Sequence, residues 1–142
     1  MPPDSGLLHG VRVVDLTRVL AGPYCTQMLG DMGADVIKVE EPSRGDDTRQ
    51  WGPPFTEGGM SAYFLSANRN KRSITLNLKS AEGMAVLRDL ITQADVLVEN
   101  FKAGTLERLG LDYHELQKIR PGLIYCTVTG FSYSGPSRNP HG

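Results

Sequence analysis

Short apolar runs alternate along the chain with stripes of apolar residues at helical spacing, and that alternation predicts a layered α/β domain. Val11, Val13, Val14 and Leu16 form a nearly continuous apolar run, as a strand covered on both faces requires. Ala21-Gly22-Pro23 breaks it: glycine permits an unusual turn, and proline fits the first turn of a helix. Cys25, Met28, Leu29 and Met32 then recur at helical spacing, which predicts a helix laying that face on a sheet. Gly33 is a natural helix stop, and Val36, Ile37 and Val39 carry a second strand over Ala34–Val39. Val11–Glu41 therefore reads as one βαβ unit, and the economical architecture is a doubly wound parallel sheet.

The pattern weakens over Glu41–Arg72, where Gly45, Gly52, Pro53, Pro54, Gly58 and Gly59 argue against long elements. A short helix is expected over Ser61–Ala67, and Trp51, Phe55, Tyr63 and Phe64 favour a loop that packs on something. Periodicity returns at Ser73–Leu78, where Ile74, Leu76 and Leu78 alternate with polar residues as a third strand. Ser80 is placed to cap a helix whose apolar positions are Met84, Leu87, Leu90, Ile91 and Ala94. A strand over Asp95–Asn100, the turn Phe101–Gly104 and a short helix over Thr105–Leu109 follow. Asp112 and Glu115 fit a capping box with Leu111 as a staple, opening a helix through Ile119. Pro121-Gly122 ends it, and Leu123–Thr129 is the last strand. A parallel sheet closing there would leave an edge uncovered, so the chain reads as the first part of something larger or one that relies on a partner.

Composition narrows the classes. The 142 residues carry 15 basic and 16 acidic side chains, which leaves no broad electrostatic footprint for nucleic acid or anionic membrane. No apolar run is long enough to cross a bilayer, and MPPDSGLLHG has no signal-peptide pattern. Cys25 and Cys126 lack metal-ligand spacing and read as reduced core residues of an intracellular protein, cytoplasmic or mitochondrial rather than secreted.

Polar and glycine residues gather where strands end: Thr17-Arg18, Ala21-Gly22-Pro23, Glu40-Glu41, Asn100-Phe101 and Thr129-Gly130-Phe131. In a parallel sheet these ends converge on one rim and form a cleft. Glu40 or Glu41 could accept a ribose hydroxyl in a nicotinamide enzyme, but LTRVLAGP contains no G-x-G-x-x-G. Arg69, Lys71 and Arg72 could meet phosphate oxygens or form a solvated turn, the second being favoured. Asp46-Asp47 has no third ligand spaced to help bind a metal and suits capping or salt bridging. His9 and His114 have no positioned acid or nucleophile beside them and read as surface residues. Arg108 could reach a ligand at the Asn100-Phe101 turn or pair with a surface carboxylate.

Taken together, GVRVVDLTRVLAGPY (10–24), GADVIKVE (33–40), GDDTRQWGPPF (45–55), NRNKRSI (68–74), ADVLVENF (94–101), RLGLDY (108–113) and LIYCTVTGF (123–131) closely resemble the family III CoA-transferases. Within the family the chain is most similar to the dicarboxylate enzymes of the succinate–hydroxymethylglutarate kind. The resemblance implies a Rossmann-like parallel sheet flanked by helices over residues 10–136, between a flexible lead-in at 1–9 and a divergent tail at 137–142. It implies the amino-terminal part of a longer protein that forms interlocked dimers, either as a homodimer or by pairing with a full-length subunit. The activity implied moves CoA from an acyl-CoA to a carboxylic acid through an aspartyl anhydride, with CoA as substrate and no tightly bound cofactor. The CoA contacts it implies are Val19, Leu20, the stretch from Leu76 to Lys79, Asn100, Phe101, Lys102 and Arg108. Lys79 and Arg108 would meet CoA phosphates or nearby carbonyls, and Phe101 would form an apolar wall. The basic contact sometimes found at the position of Glu41 is absent. The family's nucleophilic aspartate lies beyond the loop that starts at Gly130, and Asp15, Asp31, Asp35, Asp46, Asp47, Asp89, Asp95 and Asp112 do not match it. The chain alone is therefore expected to be inactive, or to serve as a non-catalytic CoA-binding or dimer-partner protein.

Overall fold

In the computed structural model, which describes residues 6–130, five strands form one all-parallel sheet in the order β3-β2-β1-β4-β5. The strands are β1 (Arg12–Asp15), β2 (Asp35–Glu40), β3 (Lys71–Thr75), β4 (Val96–Glu99) and β5 (Ile124–Thr127). Val13 lies between Val36 and Val96 in the ladder, so the first strand is central. Helices α1 (Ala21–Asp31) and α2 (Ala62–Asn68) pack together on one face of the sheet. Helices α3 (Ala81–Thr92) and α5 (Tyr113–Ile119) pack together on the other, with the single turn α4 (Thr105–Arg108). The chain changes face after β3, which puts the point where strand order reverses between β1 and β4. Open α/β sheets bind ligands there, outside the carboxyl ends of the strands.

The α3–α5 side holds the main core. Val14, Leu16, Val39 and Leu97 pack there against Leu87, Ile91, Leu106, Leu111, Leu116 and Leu123. Ser80 caps α3 by accepting the Gly83 N–H, as the sequence predicts. Asp112 caps α5 by accepting the His114 and Glu115 N–H groups, and Leu111 and Leu116 share the core as a staple would. The capping box is only half made, because Glu115 turns to Lys118 on the surface.

Several boundaries and one helix face differ from expectation. The third strand runs over Lys71–Thr75 rather than Ser73–Leu78, because Lys71 is a ladder residue paired with Val36 whose ammonium is neutralised inside. On α1 the buried residues are Gly22, Pro23, Thr26 and Gln27, whereas Met28 is 47% and Met32 37% exposed. The apolar stripe predicted to lie on the sheet is thus partly turned outward, and two polar side chains take the inner face. Cys25 and Cys126 are unbridged, as expected of reduced residues, but only half-buried, Cys126 packing on the cluster of Val13, Val36 and Val98. Burial, with Cys25 and Glu99 nearby, raises the pKa of the Cys126 thiol.

Part of the expected lead-in is laid against the end of α1, where the Leu8 N–H donates to the Met32 carbonyl at 2.9 Å. The long segment after β2 contains a 3-10 turn (Asp47–Gln50) and α2, which Ser61 caps through the Phe64 N–H. Its aromatics pack in part as expected: Phe64 is buried under Arg49 at 3.8 Å and Trp51 meets Tyr63 edge-on at 5.1 Å, but Trp51 and Phe55 stay nearly half exposed. Phe131 and the tail at 137–142 lie outside the described residues.

Candidate functional site

The carboxyl ends of β1 and β2 carry buried charge. Asp15, at the end of the central strand, accepts from the Thr17 N–H (2.8 Å), Thr26 Oγ1 (2.6 Å) and Lys71 Nζ (3.0 Å). Lys71 also donates to the Pro23 carbonyl (2.8 Å) and Asn68 Oδ1 (2.9 Å), and burial lowers its pKa. Lys38 Nζ lies 2.9 Å from Asp46 and donates to the Thr17 carbonyl at 2.8 Å. Burial opposes ionisation of Asp46, but Lys38 and the two Thr48 donors together outweigh it and hold the carboxyl below its usual range. Glu40 accepts two bonds from Arg49 at 2.7 Å, one from Ser73 and one from the Asp46 N–H. Burial again works against ionisation, yet the Arg49 bonds and these further donors bring Glu40 down to about 2.

Above this layer lies a crevice of about 430 Å³ at the carboxyl rim. Leu16, Val39, Leu76, Phe101 and Leu109 supply its apolar surface, and Arg18, Arg44 and Lys79 bring cations to it. The Arg18 guanidinium stands 5.8 Å from the centre of the Phe101 ring. A larger cavity of about 870 Å³ opens at the opposite rim. Its aspartates are occupied: Asp35 by Arg12 and Arg72, Asp31 by Arg69, and Asp95 by the Arg12 N–H and Arg120. It also lies at the amino ends of the strands, away from where such sheets bind ligands.

Of the residues implied by the resemblance, Leu76, Lys79 and Phe101 line the crevice together. Val19 and Leu20 sit in the β1–α1 turn, and Lys102 is exposed on the turn after β4. Arg108 donates to Oγ1 of Thr105, a lining residue, at 3.1 Å. Asn100 is spent on the turn across from it: its Oδ1 accepts the Arg18 N–H (2.9 Å) and its Nδ2 donates to the Arg18 carbonyl (2.8 Å). Sequence reading missed Arg44, although it sits three residues past Glu41 in the loop leaving β2, where the strand-end rule points.

Arg69 and Arg72 are tied to Asp31 and Asp35, and Lys71 is buried on Asp15, so the three do not form one phosphate cradle. Asp46 caps the 3-10 turn and pairs with Lys38, as expected of a capping and bridging residue. Glu40 is 5% exposed with its oxygens committed, and Glu41 accepts from Ser43. Glu40 is therefore committed, whereas Glu41 keeps acceptor capacity on the crevice, and what speaks against a nicotinamide site is the missing glycine fingerprint in the first turn. Among the described residues no group of three His, Cys, Asp or Glu could hold a metal.

Against known proteins, the sequence model for CoA-transferase family III matches residues 8–142. The chain belongs to this family. It is 54% identical over 96% of its length to a succinate–glutarate CoA-transferase of Agrobacterium fabrum, of which it covers 35%. It is 53% identical over 91% of its length to the human succinyl-CoA:glutarate CoA-transferase, of which it covers 29%. Its fold superposes on a CaiB/BaiF family protein from Brucella suis with a TM-score of 0.87 at 54% identity, over 92% of this chain and 35% of that one. The chain thus spans about a third of the length of the relatives it matches.

Proposed function

We propose that the protein to which this chain belongs moves CoA from an acyl-CoA donor of the succinyl class to a dicarboxylic acid, and that the carboxyl-rim crevice holds the CoA. The observation that carries this reading is the crevice itself. An apolar floor of Leu16, Val39 and Leu76 lies beneath three cations, Arg18, Arg44 and Lys79, beside two carboxylates, Glu40 and Glu41. With Glu40 neutralised by Arg49, the cations outnumber the remaining carboxylate, which suits a heteroaromatic base joined to phosphates. Arg44 takes the place of the basic contact missing at Glu41, and Arg108 adjoins the crevice through Thr105. The names of the relatives support the donor and acceptor classes, since they pair succinyl-CoA with glutarate, malate and mesaconate.

In the family chemistry an aspartate carboxylate attacks the thioester carbonyl and expels CoA thiolate, leaving a mixed anhydride. The thiolate then attacks the aspartyl carbonyl, releasing the donor acid and leaving CoA on the enzyme as a thioester. The crevice keeps the thiolate beside the anhydride during that exchange. None of the residues lining it is an aspartate, and Asp15 and Asp46 are locked in buried ion pairs. On this reading the described residues serve to bind CoA, and the aspartate nucleophile comes from elsewhere in the enzyme.

Thermal unfolding with and without CoA tests this reading. CoA is expected to raise the midpoint, because at a hundredfold excess over Kd a native-state ligand adds about 2.7 kcal/mol. The purified 142-residue chain is expected to show no acyl transfer. A midpoint indifferent to CoA would refute the CoA assignment, and CoA transfer by this chain alone would refute its inactivity and the placing of the nucleophile elsewhere.

A further inference from the structure

The β1–α1 turn adopts a conformation that its sequence disfavours. Val19 has φ of +70°, in the left-handed region that a β-branched residue enters only under constraint. The constraint comes from below. Lys38 Nζ donates to the Thr17 carbonyl at 2.8 Å, and the Val19 N–H faces the two Asp46 carboxylate oxygens at 3.3 and 3.4 Å. Between them, Asn100 takes both backbone groups of Arg18. Lys38 and Asp46 are buried to within 1% and do not line the crevice. Among the described residues, the hydrogen bonds of their charged atoms beyond the pair itself go to Thr48 and to the backbone of residues 17 and 19. A buried ion pair is a weak source of stability by itself, whereas its hydrogen bonds are directional.

We infer that Lys38 and Asp46 are positioning residues: they hold Thr17–Val19 in the left-handed turn that sets Arg18 over Phe101 and shapes the edge of the crevice. This inference rests on the reading of the crevice as the CoA site. The test is calorimetric titration of the protein with CoA, together with amide exchange of residues 17–20. Asp46→Asn keeps the shape but leaves one acceptor oxygen for Thr48, Lys38 and Val19. CoA affinity is expected to fall about 5–30-fold, the left-handed penalty of about 1–2 kcal/mol converted at 1.4 kcal/mol per tenfold. Adding Val19→Gly is expected to recover part of that loss, since glycine holds a positive φ without strain. A merely structural role predicts lower melting without rescue, and that result would overturn the inference.

Val19→Pro keeps Lys38 and Asp46 but removes the N–H that Asp46 accepts and fixes φ near about −65°, so it breaks the turn from the other side even when Asp46→Asn fails to fold. It is expected to weaken CoA at least as much, and unchanged affinity would overturn the inference. If the unsubstituted protein binds no CoA, the CoA reading fails and amide exchange alone decides. Faster exchange at Arg18 and Val19 in Asp46→Asn upholds the clamp, and unchanged exchange overturns it.

Discussion

On the α3–α5 side of the sheet, Val14, Leu16, Val39 and Leu97 project from three strands into a layer of leucine and isoleucine. On the α1–α2 side, the alternate residues of the same strands include Asp15, Lys38 and Glu40, joined by Lys71 from the third. The apolar cluster on that side is small, built on Val13, Ala34, Val36 and Val98. The two layers are nearly as well buried, so the difference lies in how each is held. One is held chiefly by packing, with Glu99 at its rim accepting from Phe101 N–H and Tyr125 OH; packing is non-directional and tolerates rearrangement. The other is held by paired charges whose bonds aim at particular backbone atoms, and it underlies the rim where the β1–α1 turn is shaped.

The largest expected effect separates these two kinds of support by making the same replacement on each side. Leu97→Met conserves volume and is expected to cost less than about 1.5 kcal/mol. Lys71→Met also roughly conserves volume but strands Asp15 without its counter-ion, which is expected to cost about 3–5 kcal/mol. Urea unfolding at neutral pH reads both. Equal losses would mean that the charged layer behaves as ordinary packing.

A somewhat smaller effect sharpens the contrast through pH. Glu40 is depressed from 4.5 to about 2 in the folded state, so its contribution is fully present above its unfolded pKa. It is lost as pH falls from about 4.5 towards 2, because there the unfolded state binds the proton first. The shift corresponds to something on the order of 3 kcal/mol. Glu40→Gln is expected to be less stable at pH 7 and to flatten the stability curve across that window. A variant with the same acid limb as the unsubstituted protein would place the acid sensitivity in other carboxylates.

Much of this was legible in the sequence. The strand–helix order follows from the apolar periods, Ser80 and Asp112 were readable as caps, and the rim followed from polar residues at strand ends. The charged layer was not, because a strand buried on both faces is normally apolar, and Lys38, Glu40 and Lys71 look like surface residues until their partners are known. Those partners come from distant segments: Lys71 meets Asp15 from 56 residues away. The strained turn was hidden for the same reason, since no local signal assigns a positive φ to valine. Arg44 escaped because its loop has no periodicity, and only the fold brings it to the crevice beside Lys79.

The smallest effect tests the place where pattern and structure part most directly. Helical spacing puts Met28 on the sheet, whereas the structure puts Thr26 there, fully buried, with its hydroxyl on Asp15 at 2.6 Å. Met28→Gln is therefore expected to change stability by no more than about 0.5 kcal/mol, as for other surface positions. Thr26→Val keeps the volume but removes a donor from a buried carboxylate, and is expected to cost about 1–3 kcal/mol. The reverse ranking would mean that α1 is turned about its axis, with its methionines inward. Thr26 would then no longer reach Asp15, and the charged layer beneath the crevice would lose a support on its helix side.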